Sequence, residues 1–244
     1  MTIPKKVHIY EVGPRDGLQN EKKIIPTNIK VKLINKLSEC NFKNIEVGSF
    51  VSPRWVPQMA DSNKVLERIK KKQGIKYPVL TPNLKGFQDA IKNKVDTICV
   101  FVTASEKFSM KNTNCTVKEA LKRVEEIVNE AKKYKLKVRG YISCVLGCPY
   151  EGKVNYKKTA NIAKFLDQIG CYEISLGDTI GIGTPSESVL MIKEVTKQVN
   201  LKKIAVHFHD TYGQALANLY AVLQLGVSTI DSSVGGLGGC PYAK

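Results

Sequence analysis

Apolar and polar positions alternate along the chain in two rhythms. Short apolar or alternating runs at 7–13, 44–50, 77–81, 97–104, 137–145, 172–176, 204–209 and 229–234 predict eight strands. Helical spacing over 28–40, 61–72, 84–93, 116–134, 156–169, 186–199 and 213–225 predicts a helix after each of the first seven. Ile29, Leu33, Ile34 and Leu37 recur on one face of the first helix, and Val65, Leu66 and Ile69 on one face of the second. Thr116, with Glu119 three residues on, has the pattern of a capping box. Repeated strand–helix units call for a parallel sheet with helices outside it. Eight of them in 244 residues fit a closed α/β barrel of the TIM (β/α)8 type better than an open doubly wound sheet. No linker divides the chain, so residues 1–244 are expected to form a single barrel domain. The chain stops ten residues past the eighth strand, so the last helix is expected to be missing and the domain C-terminally incomplete.

Charge adds one question. Lys and Arg outnumber Asp and Glu by 38 to 22, a formal net charge of +16. The lysines are spread over every helix, as in Lys70-Lys71-Lys72 and Lys132-Lys133. No basic arm, interleaved aromatics or zinc-finger spacing accompanies them, so a solvated surface is expected rather than a nucleic-acid site. Such a field would still help to steer an acidic substrate. No apolar run reaches the ~18–20 residues of a membrane span, so no membrane partner is expected. Seven scattered cysteines without a Cys-x-x-Cys pair suggest core thiols in a reducing compartment. The N-terminus shows no signal or transit pattern. A bacterial-type cytoplasm is therefore expected, or a mitochondrial matrix if a leader was removed.

Chemistry gathers at the predicted strand ends. Ile204-Ala-Val-His-Phe-His-Asp puts His207 and His209 at i and i+2, on one face of a strand and near its C-terminal end. Two hydrogen-bonded histidines would satisfy that pattern, and so would two metal ligands; a third ligand decides. In a closed barrel the first, seventh and eighth strands meet, so Asp16, after the first strand, can reach both histidines. Two His and one carboxylate with open positions suit an octahedral divalent ion, and oxygen-rich surroundings favour Mg2+ or Mn2+ over zinc. Arg15 offers a planar fork of donors for a carbonyl or enolate oxygen. Cys240 lies in a glycine-rich loop, where a thiol could act as a mobile acid or base or pack on the barrel rim. Glu46 and Asp178 could orient ligands from behind or form buried salt bridges. Trp55 is expected to pack inside the structure.

With these residues in place, the chain resembles the 3-hydroxy-3-methylglutaryl-CoA lyase family. The resemblance rests on Gly13-Pro14-Arg15-Asp16-Gly17-Leu18-Gln19-Asn20-Glu21, Ser49-Phe50-Val51-Ser52-Pro53, Gly147-Cys148-Pro149-Tyr150-Glu151-Gly152, Leu176-Gly177-Asp178-Thr179 and residues 235–242. Isopropylmalate and homocitrate synthases share the Arg-Asp-Gly and His-x-His elements but differ after Arg-Asp-Gly. The resemblance implies retro-Claisen cleavage of an acyl-CoA, 3-hydroxy-3-methylglutaryl-CoA, to acetyl-CoA and acetoacetate, in leucine degradation or ketone-body formation. It implies that Asp16, His207 and His209 bind the metal, that Arg15 stabilises the acetyl-CoA enolate, and that Cys240 takes part in proton transfer. It also implies a further asparagine ligand just after Tyr242, which this chain lacks, and allows a homodimer. The alternatives are a sibling synthase, or a fragment that binds metal or CoA without turnover.

Overall fold

The computed structural model describes residues 3–240 and 243. Its strands are β1 (His8–Glu11), β2 (Asn44–Ile45), β3 (Gly48–Ser49), β4 (Val79–Leu80), β5 (Thr97–Thr103), β6 (Lys137–Ser143), β7 (Glu173–Asp178), β8 (Ile204–Phe208) and β9 (Thr229–Ser232). All pair in parallel, in the order β2-β1-β9-β8-β7-β6-β5-β4-β3. The predicted second strand is thus two short pieces of one segment. Asn44 and Ile45 pair with β1, while Gly48 and Ser49 pair with β4. Between them the Glu46 amide donates to the Glu11 carbonyl at 2.8 Å and the Val47 amide to the Pro78 carbonyl at 3.0 Å. The segment therefore touches both ends of the sheet and curls it into a ring, which is the expected parallel α/β barrel.

The helices are α1 (Thr27–Leu37), α2 (Ser62–Arg68), α3 (Leu84–Lys92), α4 (Glu106–Thr113), α5 (Val117–Lys133), α6 (Tyr156–Ile169), α7 (Pro185–Val195) and α8 (Ala215–Leu223). Thr116 makes the expected capping box with Glu119. Helix α4 lies where no helix was expected: its sequence, Glu-Lys-Phe-Ser-Met-Lys-Asn-Thr, carries little apolar periodicity. It is defined by its ends instead, with the Ser105 side chain accepting from the Phe108 amide and Asn114 in left-handed conformation. Beyond β9 the described residues make one 3-10 turn, Val234–Gly236.

Along the strands, every second residue faces the helices. Ile98, Val100, Val102, Val138, Ile142, Ile174, Leu176, Val206 and Ile230 all belong to the large apolar core shared with the helices. The intervening positions, which face the barrel interior, carry a different set: Tyr10, Glu46, Cys99, Arg139, Tyr141, Glu173, Ser175, His207 and Asp231. A barrel interior is commonly filled by Val, Ile and Leu; here much of it is ionic. One expectation fails on burial. Trp55 is 84% exposed, because it sits in a turn after Ser52 rather than against the core. Lys30 is buried, unlike its neighbours, and its ammonium meets Asp61 at 2.6 Å.

Candidate active site

The chain leaves β1 through a tight π-helical turn, Gly13–Gly17, that carries Arg15 and Asp16 over the C-terminal mouth of the barrel. The amides of Arg15, Asp16 and Gly17 all donate to the Val12 carbonyl, which fixes the turn. Its position is also set from outside: Glu11 accepts from the Gly13 amide at 2.7 Å and from the Val234 amide at 3.0 Å. One carboxylate thereby ties the loop after β1 to the loop after β9.

Asp16 meets both histidines. Its Oδ2 lies 3.3 Å from His207 Nε2 and 3.7 Å from His209 Nε2, and the two Nε2 atoms are 3.0 Å apart. Ligands about 2.1 Å from one small divalent ion, at right angles, stand about 3.0 Å from each other. The three edges of this triangle are those of a ligand set around a single ion, so the donor atoms fit a divalent metal. Two nitrogens at 3.0 Å also need something between them, a proton or a cation. Burial opposes a charge on His207, but its hydrogen bonds to the Asp16 and Asp231 carboxylates outweigh it and raise its pKa to about 9. That proton marks where positive charge is wanted. Burial likewise pushes Asp16 up, yet the Arg15 guanidinium and the two imidazoles hold its carboxyl well below the usual range.

Arg15 is buried and gripped on two sides. Its Nε and Nη2 donate to the two oxygens of Glu46, at 2.9 and 3.1 Å, and its Nη1 to Asp16 Oδ1 at 2.5 Å. Remaining N–H donors on Nη1 and Nη2 are left for a ligand. Glu46 also accepts from the Tyr141 hydroxyl at 2.6 Å, and Gln19 donates to Asp16 Oδ1 at 2.9 Å. The structure thus places Glu46 behind Arg15, in a buried ion pair. Asp178 is equally buried but lies in another role: it accepts from the amides of Gly181 and Gly183, at 3.2 and 2.8 Å, and shapes the loop after β7. Burial lifts its pKa despite those donors.

Cys240 ends the glycine-rich loop. Asn20 anchors that loop by donating to the Gly239 carbonyl at 2.7 Å, and Gly238 packs against Gly17. Burial, with the charges of the Cys148 and Cys240 thiols adding to it, pushes the Cys144 thiol up to about 12. Pro241 and Tyr242, the end of the sequence motif, lie outside the described residues.

The sequence did not single out Asp231. It lies in β9 and receives His207 Nδ1 at 3.1 Å, the Ser175 hydroxyl at 2.8 Å, and Arg139 Nη1 and Nη2 at 3.1 and 2.7 Å. The one signal was a carboxylate at an inward position of a buried strand, which needs a partner. Glu11, a buried carboxylate at the end of β1, likewise has no sequence neighbour that explains it.

Three comparisons bear on the site. The family model described as HMGL-like matches residues 6–241. Hydroxymethylglutaryl-CoA lyase, mitochondrial, from Rattus norvegicus is 57% identical over 243 residues, covering 100% of this chain and 75% of that one. The cytoplasmic 3-hydroxy-3-methylglutaryl-CoA lyase of Mus musculus is 55% identical, with 99% of this chain and 71% of that one covered. Among solved structures, a hydroxymethylglutaryl-CoA lyase from Pseudomonas aeruginosa superimposes with a TM-score of 0.97 at 53% identity, over 99% of this chain and 81% of that one. A carboxyl transferase domain from Rhizobium etli pyruvate carboxylase, at 19% identity and a TM-score of 0.72 over 97% of this chain and 42% of that one, shares the fold.

Proposed function

The chain belongs to the HMGL-like family and is an enzyme of the hydroxymethylglutaryl-CoA lyase type, and from that premise we propose that it cleaves 3-hydroxy-3-methylglutaryl-CoA to acetyl-CoA and acetoacetate with a divalent metal at Asp16, His207 and His209. The observation that carries this reading is the convergence of those three ligand atoms directly beside the Arg15 guanidinium. Retro-Claisen cleavage needs positive charge at two places: at the C3 oxygen, which loses its proton, and at the thioester oxygen, which gains charge as C2 leaves. A metal ion bound there, Mg2+ or Mn2+, supplies Lewis acidity for the C3 hydroxyl and carboxylate oxygens.

The rest falls to the chain's own residues. Arg15 keeps free N–H donors for the thioester oxygen of the enolate, and Glu46 and Tyr141 hold its fork in place. As the C2–C3 bond breaks, its electron pair passes to C2, and C3 becomes the ketone of acetoacetate. A base takes the C3 hydroxyl proton, and Cys240, on its glycine loop, delivers a proton to C2, which becomes the methyl group of acetyl-CoA. Asp178 acts through the loop it caps. An acyl-CoA substrate also agrees with one structural neighbour at 34% identity, an HMG-CoA lyase from Acinetobacter baumannii in complex with coenzyme A and 3-methylmalate. Excess positive surface charge would draw in so anionic a substrate. All seven cysteines are without a disulfide, which suits a reducing compartment such as the cytoplasm or the mitochondrial matrix.

The test is acetoacetate release from 3-hydroxy-3-methylglutaryl-CoA with Mg2+ or Mn2+, beside a chelator control and an Asp16→Ala variant. Metal-dependent product that the variant loses is expected. Equal product with and without chelator would overturn the metal assignment, and no product from folded protein would overturn the activity.

A further inference from the structure

We propose that Asp231 is a positioning residue for His207, locked from behind by Arg139 and Ser175 so that the imidazole presents Nε2 to the mouth of the barrel. The inference rests on the metal reading above, but it concerns residues below that site. His207 offers its two ring nitrogens to opposite sides: Nε2 to Asp16 and His209, Nδ1 to Asp231 Oδ2 at 3.1 Å. A carboxylate can only accept from Nδ1, so Nδ1 keeps its proton, and Nε2 is the nitrogen that gives its proton up to free a lone pair for a ligand. Asp231 is itself immobile. It is wholly buried, clamped by both terminal nitrogens of Arg139 and by the Ser175 hydroxyl.

Arg139 is in turn fixed on three sides. Its Nε donates to Glu173 at 2.7 Å, and its guanidinium carbon lies 3.9 Å from the Tyr10 ring centre and 5.0 Å from that of Tyr141. A rigid chain of contacts therefore runs from the lower barrel, Glu173 to Arg139 to Asp231, and ends on one imidazole. His209 has nothing comparable: its buried Nδ1 finds no hydrogen-bond partner among the described residues. The two histidines are thus unequal. The protein orients His207, and His209 has no such brace.

A purely structural Asp231, serving only to neutralise Arg139, would leave the imidazole's tautomer and metal affinity alone. Because the chain has three histidines and His8 is exposed at the far end of β1, long-range proton–nitrogen NMR on the full chain can follow His207 against an internal reference. In the Mg2+-saturated parent, His207 should show a protonated Nδ1 and a ligand-type Nε2. In Asp231→Asn, folded by circular dichroism, the His207 signals should shift or divide between tautomers while those of His8 stay put. The Mn2+ Kd, read from free Mn2+ by electron paramagnetic resonance, should rise about 10–100-fold. Ser175→Ala removes a neutral contact to the same Asp231 oxygen and keeps every charge; it should raise the Kd about fivefold.

A folded Asp231→Asn with unchanged His207 signals and a Kd within about twofold of the parent would overturn the proposal. If that variant does not fold, Ser175→Ala decides by the same two readings. A parent that takes up no Mn2+ would instead overturn the metal reading itself, and the positioning role with it.

Discussion

Arg15 shows how much one side chain is asked to do. It neutralises Glu46, holds Asp16 and keeps donors free, and only a planar fork can do all three at once. Arg15→Lys keeps the charge but loses the fork. We expect turnover to fall about 10²–10³-fold, as for the loss of an oxyanion donor, while Mn2+ binding changes much less; equal losses in both would place Arg15 with the ligands instead. At this scale the sequence was legible where a residue type is rare and its spacing peculiar. His-x-His and Arg-Asp stood out for that reason. Asp231 did not, because a lone Asp in Ile230-Asp231-Ser232 has no neighbour in sequence that explains it; its partners lie 24, 56 and 92 residues away. Trp55 misled for the opposite reason, since a large aromatic is usually buried and this one rides on a turn.

Elements are set by their ends as much as by their faces. The two capping boxes, at Thr116 and Thr184, satisfy amides that α5 and α7 would otherwise leave open. Thr116→Ala should cost about 1 kcal/mol of stability, a drop in Tm of about 2–4 °C, with activity unchanged because the cap is exposed and its side-chain bonds go to Glu119, not to a residue of the site. Gly238 presents the reverse case. Its φ of +114° and the Gly17 Cα only 3.1 Å from where a Cβ would stand leave no room for a side chain. Gly238→Ala should shift the Cys240 loop and cost about 10²-fold in turnover, with metal affinity retained; a fully active variant would show that the loop's placement is immaterial. Helical periodicity made seven helices readable, whereas α4, held by a Ser105 cap and the Asn114 turn, has little periodicity to read. Strand alternation was readable too, but not which strand would divide. Asn44 through Ser49 looks continuous because its break is defined by two neighbours on opposite sides of the ring.

In the whole molecule two electrostatic systems coexist. Lysines coat the outside, while Asp16, Glu46, Glu173 and Asp231 face Arg15 and Arg139 inside. With neutral histidines the inner set has fewer positive than negative groups, a balance that the proposed dication would restore. Mg2+ at about a hundredfold excess over its Kd should therefore add about 2.7 kcal/mol of stability, seen as a rise in Tm that a chelator reverses; a Tm indifferent to metal would count against the site. Replacing Arg139 by Met leaves Asp231 without its main counter-charge and should cost about 3–5 kcal/mol in chemical denaturation. Barrel closure was legible from eight repeats, but an ionic interior was not, since inward and outward positions look alike until the ring is closed. That ring is uneven. β5 and β6 share seven paired positions, whereas β1–β2, β3–β4, β4–β5 and β8–β9 share two each. Local opening should begin where such thin rungs follow one another, and Glu46 sits in the middle of the first three with the fork of Arg15 in its grasp. Warming should then part Glu46 from Arg15 while the rest of the barrel stands, so that acetoacetate production fades, reversibly, before circular dichroism changes. Glu46 and Val47 amides should exchange hydrogen sooner than those of β6. Coincident loss of activity and ellipticity would mean instead that the seam holds as long as the barrel does.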